Sequence, residues 1–118
     1  MAKEKPKIVP KGWGHEIWIV NKEAYCGKIL YFKKGKRCSW HYHKLKDETF
    51  YIQSGRLEVS FSYYNEIGMA EKIILEPGDV FHVPIRIRHQ MLGLEDTQVF
   101  EFSTQHFNKD SHRLIKGD

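Results

Sequence analysis

The chain has 118 residues, a hydrophobic fraction of 41% and a net charge of +4 from 19 basic and 15 acidic residues. These values fit one domain with a real core, and the basic excess is too small and too dispersed to favour a nucleic-acid partner. The apolar runs are only a few residues long and none follows the charged N-terminus, so we expect a soluble, cytoplasmic protein without a membrane partner.

Short runs of aromatic and β-branched residues separated by turn signals predict about nine strands and no convincing helix. In chain order they cover residues 15–20, 25–32, 38–43, 49–53, 57–63, 72–75, 80–83, 89–94 and 97–103. Gly35, Gly55 and Gly78 are predicted turn positions. The pattern indicates a single all-β sandwich or barrel over 1–118, with a core at about 13–104. Residues 1–10 are predicted to be a charged tail, and 105–118 a tail in which 109–116 form a short helix or extended chain.

His41 and His43 carry the strongest chemical signal. Residues i and i+2 of a strand point to the same face, so both imidazoles can lie at one point inside a barrel. Glu48 follows a short loop, and a hairpin would bring its carboxylate back beside them. His89 begins a later strand. Three imidazoles and one carboxylate suit one divalent transition-metal ion, such as Zn, Fe, Ni or Mn, with positions left for water or substrate.

The four ligand candidates lie within a longer motif. Gly35-x5-His41-x-His43-x4-Glu48-x6-Gly55 and Gly78-x5-Pro84-x4-His89 resemble the two sequence motifs of the cupin superfamily. The resemblance implies a double-stranded β-helix, a small jelly-roll barrel, with these four residues as metal ligands. Two positions depart from it, since Arg86 stands where the family usually has glycine and Gly93 where it usually has asparagine.

A narrower resemblance connects the chain to the cupin module of type II mannose-6-phosphate isomerases. It is carried by Lys11-Gly12-Trp13-Gly14, by Lys28-Ile29-Leu30, and by Phe100-Glu101-Phe102 followed by Asp110 and Arg113. Four residues separate His43 from Glu48 here, whereas that family usually has two. This similarity implies metal-dependent isomerisation or epimerisation of a carbohydrate or sugar phosphate.

In such a reaction a metal holds and polarises the sugar oxygens, while a base moves a proton between neighbouring carbons. Glu101 is the candidate base, and Lys28 can hold a phosphate or polarise an oxygen. Phe50, Ile52 and Met91 are expected to give the pocket an apolar wall, and Arg86 to lie at its mouth, where it would favour an anionic small molecule. Two alternatives stay open, an Fe(II)-dependent dioxygenase and a non-enzymatic metal-dependent binding protein.

The remaining histidines and basic clusters have plainer interpretations. His15, His82, His106 and His112 are expected to be surface or core residues, and Lys44 and Lys46 to be solvated turn residues. Cys26 and Cys38 are too few for a disulfide scaffold and are expected to be buried thiols.

The segment 15–20 is apolar on both faces and therefore unsuited to an exposed sheet edge. We expect it to take part in a homodimer, with Trp13 and Trp40 adding aromatic area to the contact.

Overall fold

The structure, a computed structural model, describes residues 1–118 and is built from strands. Eleven strands are present: β1 (Lys7–Lys11), β2 (Gly14–Asn21), β3 (Cys26–Phe32), β4 (Trp40–Tyr42), β5 (Glu48–Ser54), β6 (Leu57–Ser62), β7 (Glu71–Leu75), β8 (Val80–Val83), β9 (Arg88–Gly93), β10 (Thr97–Ser103) and β11 (His112–Ile115). The helical content is limited to two 3-10 turns, Ile67–Met69 and Asn108–Asp110. No helix could therefore cross a membrane.

The strands form two antiparallel sheets. One sheet has the order β1-β2-β3-β10-β5-β8 and the other β11-β4-β9-β6-β7. All nine predicted strands are present, so the predicted all-β barrel is confirmed. The sequence missed the two strands nearest the ends. The expected N-terminal tail contains β1, which pairs along β2, and the expected C-terminal tail contains β11, which pairs with β4.

Buried and less buried residues alternate along β3 and β10, and the buried positions show where the core ends and the site begins. On β3 the inward residues run from Phe32 and Leu30 to Lys28, and on β10 they run from Val99 to Glu101. In the register of the two strands, Lys28 lies opposite Glu101 and Leu30 opposite Val99. Because the charged ends of neighbouring strands coincide, one end of the barrel is an apolar core and the other a polar cavity.

Trp13 and Trp40 belong to the interior of this chain. Trp13 stacks on Phe32 with ring centroids 4.3 Å apart, and Trp40 is fully buried with its indole N–H donating to the carbonyl of Asn65. The expectation that these tryptophans add area to a dimer contact is therefore wrong. Cys26 and Cys38 are buried free thiols, as expected.

Backbone conformation accounts for the predicted turn glycines and for one departure from the motif. Gly35, Gly55 and Gly78 have φ values of 81°, 90° and 92°, which side chains rarely adopt. Arg86 is the only residue other than glycine with a positive φ, which is 72°. Glycine at this motif position would relieve a left-handed backbone that Arg86 adopts with strain.

Candidate metal centre

Three histidines converge between the two sheets. His41 lies on β4 directly opposite His89 of β9, and His43 follows β4 by one residue. Potential ligand atoms of these three residues all lie within 4.8 Å of one another. His43 and His89 are buried, and His41 is half-buried at the cavity.

Each imidazole is fixed in orientation by a backbone carbonyl. Nδ1 of His41 lies 2.9 Å from the oxygen of Ser39, and Nδ1 of His89 lies 3.0 Å from that of Ile87. Nδ1 of His43 lies 3.0 Å from the oxygen of Asp110. A carbonyl only accepts, so each Nδ1 carries a proton, and Nε2 is the nitrogen left to coordinate a metal. This is the arrangement by which proteins orient metal-binding histidines.

Burial also keeps two of these rings neutral. It lowers the pKa of His41 well below its ordinary value, and the neighbouring His89 and His43 lower it further. Burial lowers the pKa of His43 to about 4, against the opposing influence of Glu48. Neutral imidazole is the form that coordinates a metal, so no proton has to leave these rings when an ion binds near neutral pH.

Glu48 lies beside the triad at the start of β5. Its Oε2 is 3.2 Å from Nε2 of His89, and both atoms are buried without a hydrogen-bond partner. Buried polar atoms that lack a partner are unfavourable, and a cation bound near both would satisfy them. The donor set and these two orphaned atoms fit a divalent transition metal.

Lys46 forms an ion pair with Oε1, the other carboxylate oxygen of Glu48. Its Nζ lies 2.9 Å from Oε1 of Glu48 and 3.3 Å from Oε2 of Glu101. Burial would lower the pKa of Lys46, but Glu101 and Glu48 outweigh it and raise that pKa. Burial would likewise raise the pKa of Glu48, but Lys46 outweighs it and holds that pKa well below its ordinary value. The expectation that Lys46 is a solvated turn residue is wrong, because it is only 3% exposed.

The triad opens into a cavity of about 940 Å³. Nine of its 29 lining residues are hydrophobic, and polar and apolar groups share the wall. Of the predicted pocket residues, four line it: Lys28, Glu101, Phe50 and Met91. Two do not, because Ile52 is fully buried in the core and Arg86 is exposed outside the cavity. Of the three apolar residues expected at the wall, Phe50 and Met91 therefore lie there and Ile52 does not.

The cavity is also lined by His106, which sequence analysis did not assign to the site. His106 accepts a hydrogen bond at Nδ1 from Lys46, at 2.9 Å, and its ring lies edge-on to Trp18 at 5.1 Å. Burial and the charge of Lys46 lower the pKa of His106 to about 4. No spacing rule connects His106 to the motif histidines, and only the tertiary fold places it here.

The opposite wall of the cavity is formed by β2 and β3. The ammonium of Lys28 lies 4.1 Å from the ring centre of Trp18 and 3.6 Å from Oε1 of Glu16. The same oxygen of Glu16 accepts a 2.7 Å hydrogen bond from the indole N–H of Trp18. At 3.6 Å the contact of Lys28 with Glu16 is longer than a charge-assisted hydrogen bond. The N–H groups of this buried lysine are therefore available to a ligand.

Comparison with known proteins agrees with this architecture. Residues 28–102, more than half of the chain, match the family described as the cupin domain. No curated protein has a significantly similar sequence.

Solved structures share the fold at low sequence identity. The capsular polysaccharide assembling protein CapF from Staphylococcus aureus is 17% identical, with a TM-score of 0.81 over 96% of this chain and 35% of its own. KdgF from Halomonas sp. is 23% identical, with a TM-score of 0.69 over 80% of this chain and 81% of its own. Oxalate decarboxylase from Bacillus subtilis, which has Mn(II) centres, is 19% identical, with a TM-score of 0.78 over 92% of this chain and 30% of its own. The chain thus spans about a third of the CapF and oxalate decarboxylase chains.

Proposed function

This chain belongs to the cupin family, and we propose that it binds one divalent transition-metal ion through His41, His43 and His89, with Glu48 as a fourth ligand. We further propose that the metal site acts on a small anionic carbohydrate such as a sugar phosphate, by isomerisation or epimerisation. The observation that carries the metal proposal is the convergence of three imidazoles whose Nδ1 atoms all face backbone carbonyls. A bound divalent ion would hold and polarise neighbouring sugar oxygens as a Lewis acid.

The wall opposite the histidines supports an anionic, oxygen-rich ligand. Lys28 is 3% exposed, and its ammonium lines the cavity 3.6 Å from Oε1 of Glu16, which is longer than a charge-assisted hydrogen bond. A phosphate or carboxylate group would complete its hydrogen bonds. The indole of Trp18 beside it offers a flat aromatic face. The fold similarity to CapF, a capsular polysaccharide assembling protein, is in keeping with a carbohydrate ligand.

Glu101 is suited to accept a proton from a ligand carbon. It is buried at the cavity wall, and both of its hydrogen bonds, from Lys46 and from the hydroxyl of Ser103, go to Oε2. Its Oε1 is therefore free to take the proton and return it to the neighbouring carbon, as a general base and then a general acid.

An oxidative reaction is the second candidate, and the apolar residues at the triad favour it. The ring of Phe50 lies 6.4 Å from that of His89, and Met91 lines the same side of the cavity. An Fe(II) centre with three histidines could act there on a small, less polar substrate with dioxygen.

Proton exchange tests the isomerase proposal. Metal-loaded protein is incubated in D2O with a panel of sugars and sugar phosphates, and NMR follows loss of carbon-bound protons and formation of new anomers. Glu101→Gln should lower the rate by roughly 10²-fold or more, the usual contribution of a general base. The exposed Glu95→Gln is the matched control and should leave it unchanged.

The same samples separate the alternatives. Lys28→Met should weaken binding of phosphorylated sugars by about tenfold or more and leave neutral sugars less affected, since a hydrogen bond to a charged group is worth about 1.5–3 kcal/mol. Substrate-dependent oxygen uptake by the Fe(II) form would favour the dioxygenase. Binding without turnover would indicate a binding protein, and absence of binding across the panel would reject the carbohydrate ligand.

A further inference from the structure

Lys46 has three close polar contacts inside the cavity. Its ammonium lies 2.9 Å from Oε1 of Glu48, 3.3 Å from Oε2 of Glu101 and 2.9 Å from Nδ1 of His106. It donates hydrogen bonds to Glu101 and His106 and forms an ion pair with Glu48. The side chain is 3% exposed. Lys46 is therefore a fixed cation of the site, in contrast to Lys28, whose donors remain available.

The backbone around Lys46 is fixed as well. The buried carboxylate of Asp110 accepts the backbone N–H groups of Lys44, Leu45 and Lys46, at 2.8, 3.2 and 3.1 Å. Three of the four residues between His43 and Glu48 are thus held by one acceptor. In this loop Lys44 is exposed to solvent and Lys46 lines the cavity.

The charges around Lys46 give it an electrostatic role. Glu48 and Glu101 are both buried, at 3% and 4% exposure, and two buried carboxylates in one cavity repel each other and are costly to desolvate. Lys46 is the one cation in contact with both carboxylates.

We propose that Lys46 is the resident counter-cation of the metal centre: it offsets part of the negative charge of Glu48 and Glu101 when no metal is bound, and its charge weakens the binding of the divalent ion. The proposal rests on the metal-binding part of the function proposed above. Glu48 would be shared, with Oε1 held by the ammonium and Oε2 left for the metal beside His89. An ammonium and a divalent ion bound to the same carboxylate repel each other.

Removal of the charge separates this role from a merely structural one. In Lys46→Met the repulsion is lost, while two carboxylates remain that only the metal can neutralise. The metal-free protein should become less stable, and its affinity for the metal should rise. A lysine that served only to pack or orient Glu48 would give the opposite change in affinity, because its loss would disorder a ligand.

Zn(II) and Co(II) titrations in competition with a chromogenic chelator provide the measurement. Lys46→Met should bind either ion at least tenfold more tightly than the wild type, with a lower Tm without metal and a larger rise in Tm on addition of zinc. The exposed Lys44→Met, in the same loop, should match the wild type in both. In the double variant Lys46→Met/Glu101→Gln, which removes one charge of each sign, affinity and metal-free stability should return toward wild type.

Each outcome has one meaning. A wild type that binds neither ion rejects the proposed function itself. A wild type that binds the ions, with a Lys46→Met variant of equal or weaker affinity, rejects only the role of Lys46. A Lys46→Met variant that folds only with zinc supports that role. A variant that does not fold even with zinc contradicts it, because the metal would then fail to replace the ammonium.

Discussion

The histidine triad and the Lys46 cluster lie side by side in one cavity but are built in different ways. His41 and His89 are each held by a carbonyl two residues earlier in their own strand region. Lys46 meets Glu101 and His106, which are 55 and 60 residues away. The triad consists of imidazoles, whereas Lys46 lies between two buried carboxylates, Glu48 and Glu101.

This contrast separates binding from stability. Removal of a triad ring leaves Glu48 still paired with Lys46, so it should affect metal binding more than folding. Removal of Lys46 should affect both, because it leaves two buried carboxylates without their cation.

The largest effect is expected on the triad side. His41→Ala combined with His43→Ala should abolish binding of the metal, because two of the three converging Nε2 donors are lost. Elemental analysis after reloading with Zn, Fe, Ni and Mn measures it. The exposed His82→Ala, whose imidazole contacts only Asp47, is the control and should keep the ion. Retention of one tightly held ion by the double variant would refute the ligand assignment.

A smaller effect, on stability, is expected where the two regions meet. Asp110→Asn should lower the free energy of unfolding by about 2–4 kcal/mol, because the carboxylate that holds the loop from Lys44 to Lys46 loses its charge. Urea denaturation measures it. Asp79→Asn is the control, since the exposed Asp79 accepts a single backbone N–H from Glu76 and should cost less than about 1 kcal/mol. Equal losses in the two variants would show that Asp110 is no more than an ordinary turn residue.

The smallest effect is expected at the turn before His89. Arg86→Gly should raise the free energy of unfolding by up to about 1 kcal/mol, since relief of the left-handed backbone outweighs the entropy that glycine loses on folding. Thermal unfolding detects this as a higher Tm. A lower Tm would mean that the contacts of the Arg86 side chain stabilise the turn more than its backbone strain destabilises it.

The features that could be predicted from the sequence are those that depend on residues close together in the chain. The alternation of His41 and His43 placed both rings on one face, and the strand rhythm predicted the barrel. The structure also places His89 opposite His41 and Glu48 beside His89, as the cupin motifs implied. Their service as metal ligands stays a prediction.

What the sequence did not predict depends on long-range contacts. Lys46 has the sequence surroundings of a solvated loop residue, and only its partners from β5, β10 and the C-terminal segment make it buried. Asp110 lies 64 residues from the loop that it holds. At Arg86 the sequence did carry a signal, because this residue replaces a motif glycine. That replacement indicates a positive φ, not a side chain at the cavity mouth.

The ends of the chain show the same limit. β1 contains a proline and two lysines, a composition that does not predict a strand, yet it pairs with β2 in continuous register. β2 thereby gains neighbours on both sides, and Trp18 faces the cavity. The burial of Trp18 is explained within one chain, whereas Ile19 stays exposed, and the homodimer stays a prediction.

Histidine ¹⁵N–¹H NMR of the wild-type protein during a zinc titration tests the central claim most directly. The metal centre described here predicts that Nε2 of His41, His43 and His89 shifts as one equivalent of zinc binds, while their Nδ1 atoms stay protonated. The ring nitrogens of His15, His82, His106 and His112 should not show the change in chemical shift that accompanies zinc coordination. Absence of shifts in the triad, or zinc bound instead at Nδ1 or at one of the other four histidines, would contradict the account.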